Sequence, residues 1–275
     1  VGDGGVSVLN ADDPVVVGLA ERAGGQVIFF SLRPDNDTIT RHRDAGGTAV
    51  VLQDGEVVIH SSEPSLNVLS VIDAPITLRG MAAFNVSNVL AGVAALHGLG
   101  IAVDMIRTGV STFHPSATQN PGRMNLIDFV TFKVLVDYGH NVPAVRALGS
   151  ALPLLSKGRK IVVAHGTGNR LTDHIRMFGA ALAEVYDYLV VADADPRQRQ
   201  PGETPELVRA GALEAGFPAD SVDIVLDPFE AIDHAFSLVR SGELIVVQVD
   251  EVEPMLNRVM EHFDRLVGSV ASFTP

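Results

Sequence analysis

Five times in its second half the chain repeats one pattern: a short run of β-branched and aliphatic residues, a polar corner, and then a helical periodicity. The runs lie at Thr131 to Asp137, Lys160 to Ala164, Tyr188 to Ala192, Asp223 to Leu226 and Glu243 to Val249. The helices begin near Pro143, Thr172, Pro205, Pro228 and Val252. A strand that is apolar on both faces must be covered on both, and parallel neighbours need a long connection that a helix supplies. Successive units of this kind predict a parallel sheet with right-handed crossovers, a Rossmann-like domain. Ligands of such open sheets gather at the carboxyl ends of the strands, where helix N-termini and short loops present unpaired N–H donors. The corner after Val134, Leu135 and Val136 is the strongest lead of this type. Asp137, His140 and Asn141 fall there, just ahead of Pro143, which suits a first helical turn.

The first half has another texture. A strand is expected at Val6 to Leu9, closed by Asn10, Asp12 and Asp13, with a helix from Pro14 to about Ala23. Gln26 to Phe30 reads as a second strand. VVLQ and EVVIH flank Asp54-Gly55, a pair suited to a primed hairpin turn, and a further pair of short strands is expected over Leu66 to Leu78. RGMAAFNVSNVLAGVAALHGLG places Asn85 and Asn88 at the mouth of an alanine-rich helix with Val89, Val93 and Leu96 on one face. Val103 to Phe113 reads as another helix, and HPSATQNPGRMN as a polar connector. The domain boundary is expected near Pro121, giving domains 1–120 and 121–275.

With 275 residues, 47% of them apolar and no tryptophan, the chain can bury two cores rich in Val, Ala and Leu. The absence of cysteine excludes disulfides, thiolate zinc sites and cysteine nucleophiles. A formal charge of −13 argues against non-specific nucleic-acid binding. No apolar run has membrane-spanning length, and neither a basic n-region nor an h-region opens the sequence, so a cytoplasmic protein without membrane contact is expected.

The remaining constellations are weaker. His165-Gly-Thr-Gly-Asn-Arg170 resembles a dinucleotide loop only superficially, since Leu171 stands where G-x-G-x-x-G requires glycine. Arg170 and Asp173 form a helix-start pair or line the cleft. In ADADPRQRQPGE, Arg197 and Arg199 offer planar forks for a carboxylate, while Asp193, Asp195 and Glu203 offer charges for an amine. The nine histidines show no metal-ligand spacing, no metal ligands are assigned, and no G-x-S-x-G nucleophile elbow occurs.

Taken in order, Asn85-Val-Ser-Asn88 before an alanine-rich helix, Pro121-Gly122-Arg123, and Asp137-Tyr-Gly-His140-Asn141-x-Pro143 resemble the second half of the Mur ligase superfamily. That superfamily includes the muramyl peptide ligases, the folylpolyglutamate synthetases and the carboxy-terminal half of the cyanophycin synthetases. VIFFSLRPDNDTITRH, GRMNL, GNRLTDHI and RQRQPGE are similar in particular to the Mur-like region of the last group, so the likeness spans essentially the whole chain. It implies an α/β fold: the remainder of a Mur ligase central, ATP-binding domain over 1–120, then a Rossmann-like, substrate-binding domain over 121–275.

The implied chemistry is ATP-dependent amide-bond formation, in which a carboxylate is activated as an acyl phosphate and captured by an amino acid amine. By resemblance, Asn88 reads the adenine edge with Asn85 supporting its loop. Arg123 neutralises phosphate charge, Asp137 accepts from the ribose hydroxyls, Asn141 belongs to the same cofactor set, and His140 lies near the phosphates as the catalytic candidate. Arg170, Asp173, Asp195 and Arg197 would hold the incoming amino acid or peptide. ATP and Mg²⁺ are the implied cofactors of the full-length enzyme. No lysine follows a glycine anywhere, so a G-x-x-x-x-G-K-[ST] phosphate loop is absent. The chain is therefore expected to be a piece of a longer ligase that needs an amino-terminal ATP-binding region, or a shortened paralogue, and to be inactive alone. The alternative is a non-catalytic binding or assembly module. Which acid and amine are joined, and the oligomeric state, stay open: arginine on an aspartate-rich backbone and a diamino acid on a muramyl peptide both match the loop patterns.

Overall fold

The computed structural model describes residues 1–2, 4–61, 64–194 and 196–268. The chain divides into two compact units between His114 and Pro115, inside the polar connector.

The first unit carries a five-stranded sheet in sequential order. Strands β1 (Val6–Asn10), β2 (Gln26–Ser31) and β3 (Thr48–Gln53) are parallel, and β4 (Glu56–His60) and β5 (Leu66–Ser70) extend the sheet antiparallel. Asp54 and Gly55 both have positive φ, 53° and 80°, which gives the expected primed turn between β3 and β4. Helix α1 (Pro14–Val17) is capped by Asp13, whose side chain accepts from Val15 N and Val16 N. It stops at Gly18, so the longer helix expected to Ala23 is reduced to a separate 3₁₀ turn at Ala20–Arg22.

Helix α2 (Asp37–Asp44), to which the sequence reading assigned no element, buries only Ile39 and is nucleated by the Asn36 cap. The second of the two strands expected over Leu66 to Leu78 does not form. The Ser70 hydroxyl accepts from Ile72 N and Pro75 removes a ladder donor, leaving 3₁₀ turns at Val71–Asp73 and Pro75–Thr77. Helix α3 (Ala83–Gly98) buries Val86, Val89, Leu90, Val93 and Ala94. Leu96, in the last turn of the helix, follows Val89 and Val93 on the same face but is exposed. Helix α4 (Val103–Thr112) buries Ile106.

The second unit holds a six-stranded sheet. Its first two strands are β6 (Asn125–Asp128), an antiparallel edge that begins at the last residue of the expected connector and to which the sequence reading assigns no element, and β7 (Lys133–Asp137). Helix α5 (Val142–Leu155) leads to β8 (Lys160–His165), α6 (Thr172–Val185) to β9 (Tyr188–Ala192), and α7 (Glu203–Glu214) to β10 (Val222–Ile224). Helix α8 (Pro228–Leu238) then leads to β11 (Leu244–Gln248), and α9 (Val252–Leu266) follows. The spatial order is β10-β9-β8-β11-β7-β6, with β7 to β11 parallel. The last strand inserts between β7 and β8, so the chain reverses direction across the sheet there. This is the switch point at which the carboxyl edge opens a crevice. Val134, Val136, Ile161, Val163, Ile245 and Val247 form one buried face with α8 and α9. No helix among the described residues is long and apolar enough to cross a membrane.

Helices α6 and α7 meet through glycine. A Cβ on Gly211 would stand 2.0 Å from Arg176 O, and one on Gly179 would stand 1.9 Å from Val208 O. Gly92, inside α3, has nothing within 4 Å of its Cβ position. Gly211→Ala is therefore expected to destabilise the protein by about 1–3 kcal/mol through overpacking. Gly92→Ala should stabilise it by about 0.5–1 kcal/mol through helix propensity. Denaturant titration of the two variants checks both signs.

Candidate functional site

The corner after β7 is built around the Asp137 carboxylate. One oxygen accepts from Gly139 N at 2.8 Å, and the other accepts from Met124 N at 3.0 Å. Thus a single side chain ties the loop that enters β6 to the loop that leaves β7. Burial pushes the Asp137 carboxyl above its usual range, and the two amide donors and the Arg123 charge only partly offset that.

The incoming loop needs unusual backbone. Gly122 and Met124 have φ of 71° and 54°, and a Cβ at Gly122 would stand 2.8 Å from a Val252 methyl. Buried Asn125 fixes this loop, accepting from Gly122 N and donating to the carbonyls of Asn120 and Arg123. The result sets the Arg123 guanidinium over the Tyr138 ring, 4.6 Å from its centroid. Arg123 and Asp137, far apart in sequence, are neighbours here.

His140 donates from Nδ1 to Tyr138 O at 2.8 Å. A carbonyl only accepts, so the proton is on Nδ1 and Nε2 keeps a lone pair in the neutral ring. The ring meets Tyr138 edge-on and lies 6.4 Å from the nearly parallel ring of His165. Asn141 caps α5, its side chain accepting from Ala144 N. Gln248, at the end of β11 and fully buried, donates to Gly139 O at 2.7 Å and braces the corner from below.

Between this corner and the β8–α6 loop lies a cleft of about 200 Å³, lined among others by His140, Asn141, Gly166, Thr167, Arg170 and His174. Arg170 therefore joins the corner residues. Asp173 is exposed in the first turn of α6 and is not among the cleft residues. Arg197 sits in the β9–α7 loop at φ 54°, and the expected contribution of Asp195 falls outside the described residues. Arg199, read alongside Arg197 as a carboxylate fork, is committed elsewhere. It donates to Gly168 O, Arg170 O and Thr172 Oγ1 and pairs with Glu203, clamping two loops together. The partner-bound Glu203 carboxyl is held below its ordinary value by that bond, so it is not a free charge for an amine.

In the first unit, Asn85 is buried and donates to Ile76 O at 2.8 Å while accepting from the exposed Asn88 at 3.2 Å. Neither residue caps α3, whose N-cap is Ala82. Just before it, Leu78, Arg79 and Gly80 take φ of 52°, 61° and 82° in succession. The two non-glycine residues each carry strain of about 1–3 kcal/mol. The Thr77 hydroxyl, which accepts from Gly80 N, and the Asn85 bond to Ile76 hold the loop in that form. Sequence reading missed this loop, for which Gly80 alone is a signal. It also passed over His165 as a site residue, although His165 closes a strand at the same edge as Asp137.

Residues 122–248, which hold this corner and its cleft, match the model described as Mur ligase, glutamate ligase domain. The chain belongs to the Mur ligase superfamily, and it is similar in particular to cyanophycin synthetase. With the protein of that name from Crocosphaera subtropica it is 37% identical over 249 residues, 90% of this chain and 28% of the relative. It thus spans less than a third of that relative. The fold agrees with MurF from Acinetobacter baumannii at TM-score 0.62 and 18% identity, covering 94% of this chain and 52% of that one. It agrees with MurF ligase from Thermotoga maritima in complex with ADP at TM-score 0.53 and 15% identity, covering 94% and 62%.

Burial holds the His165 imidazole below its ordinary value, with His140 adding to the effect and Asp250 opposing it. The folded state therefore favours the neutral ring. Stability at this site is full above the unfolded pKa of about 6.5 and is lost as pH falls from there through the lower folded pKa. Unfolding free energy measured from pH 8 to 5.5 is expected to fall more steeply in the wild type than in His165→Gln; equal slopes would contradict this.

Proposed function

We propose that the chain contributes to an ATP-dependent carboxylate–amine ligase, and that the Asp137 corner is where the second unit meets the nucleotide. The observation that carries this reading is the Arg123 charge acting on Asp137 at the sheet's carboxyl edge, with His140 and Arg170 on the adjoining cleft. The family membership and the ADP in one relative support it. In this reading the exposed amide of Asn88, steadied by Asn85, reads an adenine edge by donating and accepting side by side. Arg123 offers a fixed cation to phosphate, its plane held on Tyr138. Each Asp137 oxygen holds one backbone donor and has a lone pair left for a ribose hydroxyl. ATP, when bound, supplies the phosphoryl group that turns a substrate carboxylate into an acyl phosphate. Among the described residues no group of three or more acidic or histidine side chains is placed to hold a metal ion. Arg170 gives the cleft a cation for the carboxylate of the incoming amino acid.

The alternative reading is a binding or assembly module. The two differ in turnover. In the polypeptide encoded by the whole reading frame, amine-dependent ADP release is expected to drop at least about tenfold in Asp137→Ala, equivalent to a loss of about 1.4 kcal/mol in transition-state stabilisation. Equal turnover in wild type and variant defeats the site assignment. Nucleotide binding without any turnover in the wild type selects the module.

A further inference from the structure

An imidazole with one nitrogen fixed as a donor and the other left with a lone pair at a cleft is a base looking for a proton. Nδ1 of His140 is committed to Tyr138 O, and His140 lines the cleft that also holds Arg170. Behind it His165 is only 3% exposed. Its Nε2 is buried with no hydrogen-bond partner among the described residues, and its ring lies 6.4 Å from that of His140 at 23°. A buried nitrogen left unpaired costs about 1–3 kcal/mol, so a phenylalanine or leucine would pack the position more cheaply. An imidazole stands there against that cost, beside His140, which with His174 lines the cleft.

We propose that His140 is the base that takes the proton from the incoming ammonium, and that His165 is the positioning residue that holds the His140 ring with Nε2 toward the cleft. The proposal rests on the ligase reading for its place in a reaction. The step balances simply. An ammonium N–H bond breaks and its proton moves to His140 Nε2. The freed amine then attacks the acyl carbon, the C–N bond forms, the C–O bond to phosphate breaks, and the second proton leaves with the phosphate. Asp250, whose charge acts on His165, lies on the same edge. His174 and Arg170 line the cleft on the α6 side, and Tyr138 with Arg123 flanks the ring on the other.

The test uses two nucleophiles and one spectrum. With an amino acid substrate, His140→Gln is expected to lower kcat about 10²-fold or more, and His165→Ala about tenfold with KM for the amine unchanged. His165→Phe, which keeps a ring at that place, should recover most of the His165→Ala loss. With hydroxylamine, which is already neutral at pH 7, the His140→Gln deficit should nearly vanish. An equal deficit with both nucleophiles would overturn the base assignment, and failure of phenylalanine to restore kcat would overturn the positioning role. Independently of turnover, ¹⁵N spectra of the chain itself should show His140 protonated on Nδ1, with its ring signals shifted by His165→Ala. Protonation on Nε2, or no shift, refutes the proposal even if the ligase reading stands. Absence of turnover in the wild type refutes the ligase reading alone and leaves the spectral test to decide the pair.

Discussion

One half-buried carboxylate organises the carboxyl edge of the second unit's sheet. Asp137 stands where a strand with three fully buried neighbours runs out into loops, and its two oxygens collect backbone amides from two different segments. Taking a carboxylate out of water is unfavourable, which is why its carboxyl sits above the ordinary range. The two donors keep the geometry worth holding. Because Met124 N is one of them, the preceding Arg123 is delivered to the Tyr138 ring. Because Gly139 N is the other, the chain turns sharply enough for His140 to bond back to Tyr138 O. Gln248 on the neighbouring strand seals the remaining carbonyl. The corner is a bracket of backbone bonds rather than a set of free side chains, so its polar groups are preorganised before any ligand arrives.

The parallel half was legible because its signals are local. Each strand is a short apolar run, and Pro143 and Pro228 open their helices where the sequence puts them. The rule that ligands meet the carboxyl ends of parallel strands then singled out Asp137, His140 and Asn141. What escaped depended on partners distant in sequence. β6 is a strand only because β7 lies beside it, and nothing in GRMNL alone marks it as one. Arg199 resembled a substrate ligand until its donors were found on carbonyls about thirty residues upstream. The left-handed run at Leu78, Arg79 and Gly80 is over-determined by Thr77 and Asn85, and leucine and arginine carry no signal for such a conformation. His165 was legible in principle, by the same rule as Asp137, yet its burial and stacking were not.

The family assignment and the geometry carry different weight. Identity to cyanophycin synthetases over nine-tenths of the chain places it within a ligase superfamily, whereas the two MurF likenesses, at 18% and 15% identity, speak for the fold. What the corner does is therefore argued from its own chemistry. The corner offers a cation stacked on an aromatic ring, a carboxylate with spare lone pairs and an imidazole bonded back to the chain. The first unit adds a carboxamide pair at the start of α3, held beside a strained loop.

The claim that the Asp137 bracket handles nucleotide is tested most directly by ADP titration of the ¹⁵N-labelled protein. The amides of Met124 and Gly139 report on the two oxygens of that carboxylate. Saturating ADP is predicted to move both resonances, together with the side-chain amide of Asn88. If ADP binds while all three stay fixed, or moves only residues away from this edge, the account is wrong.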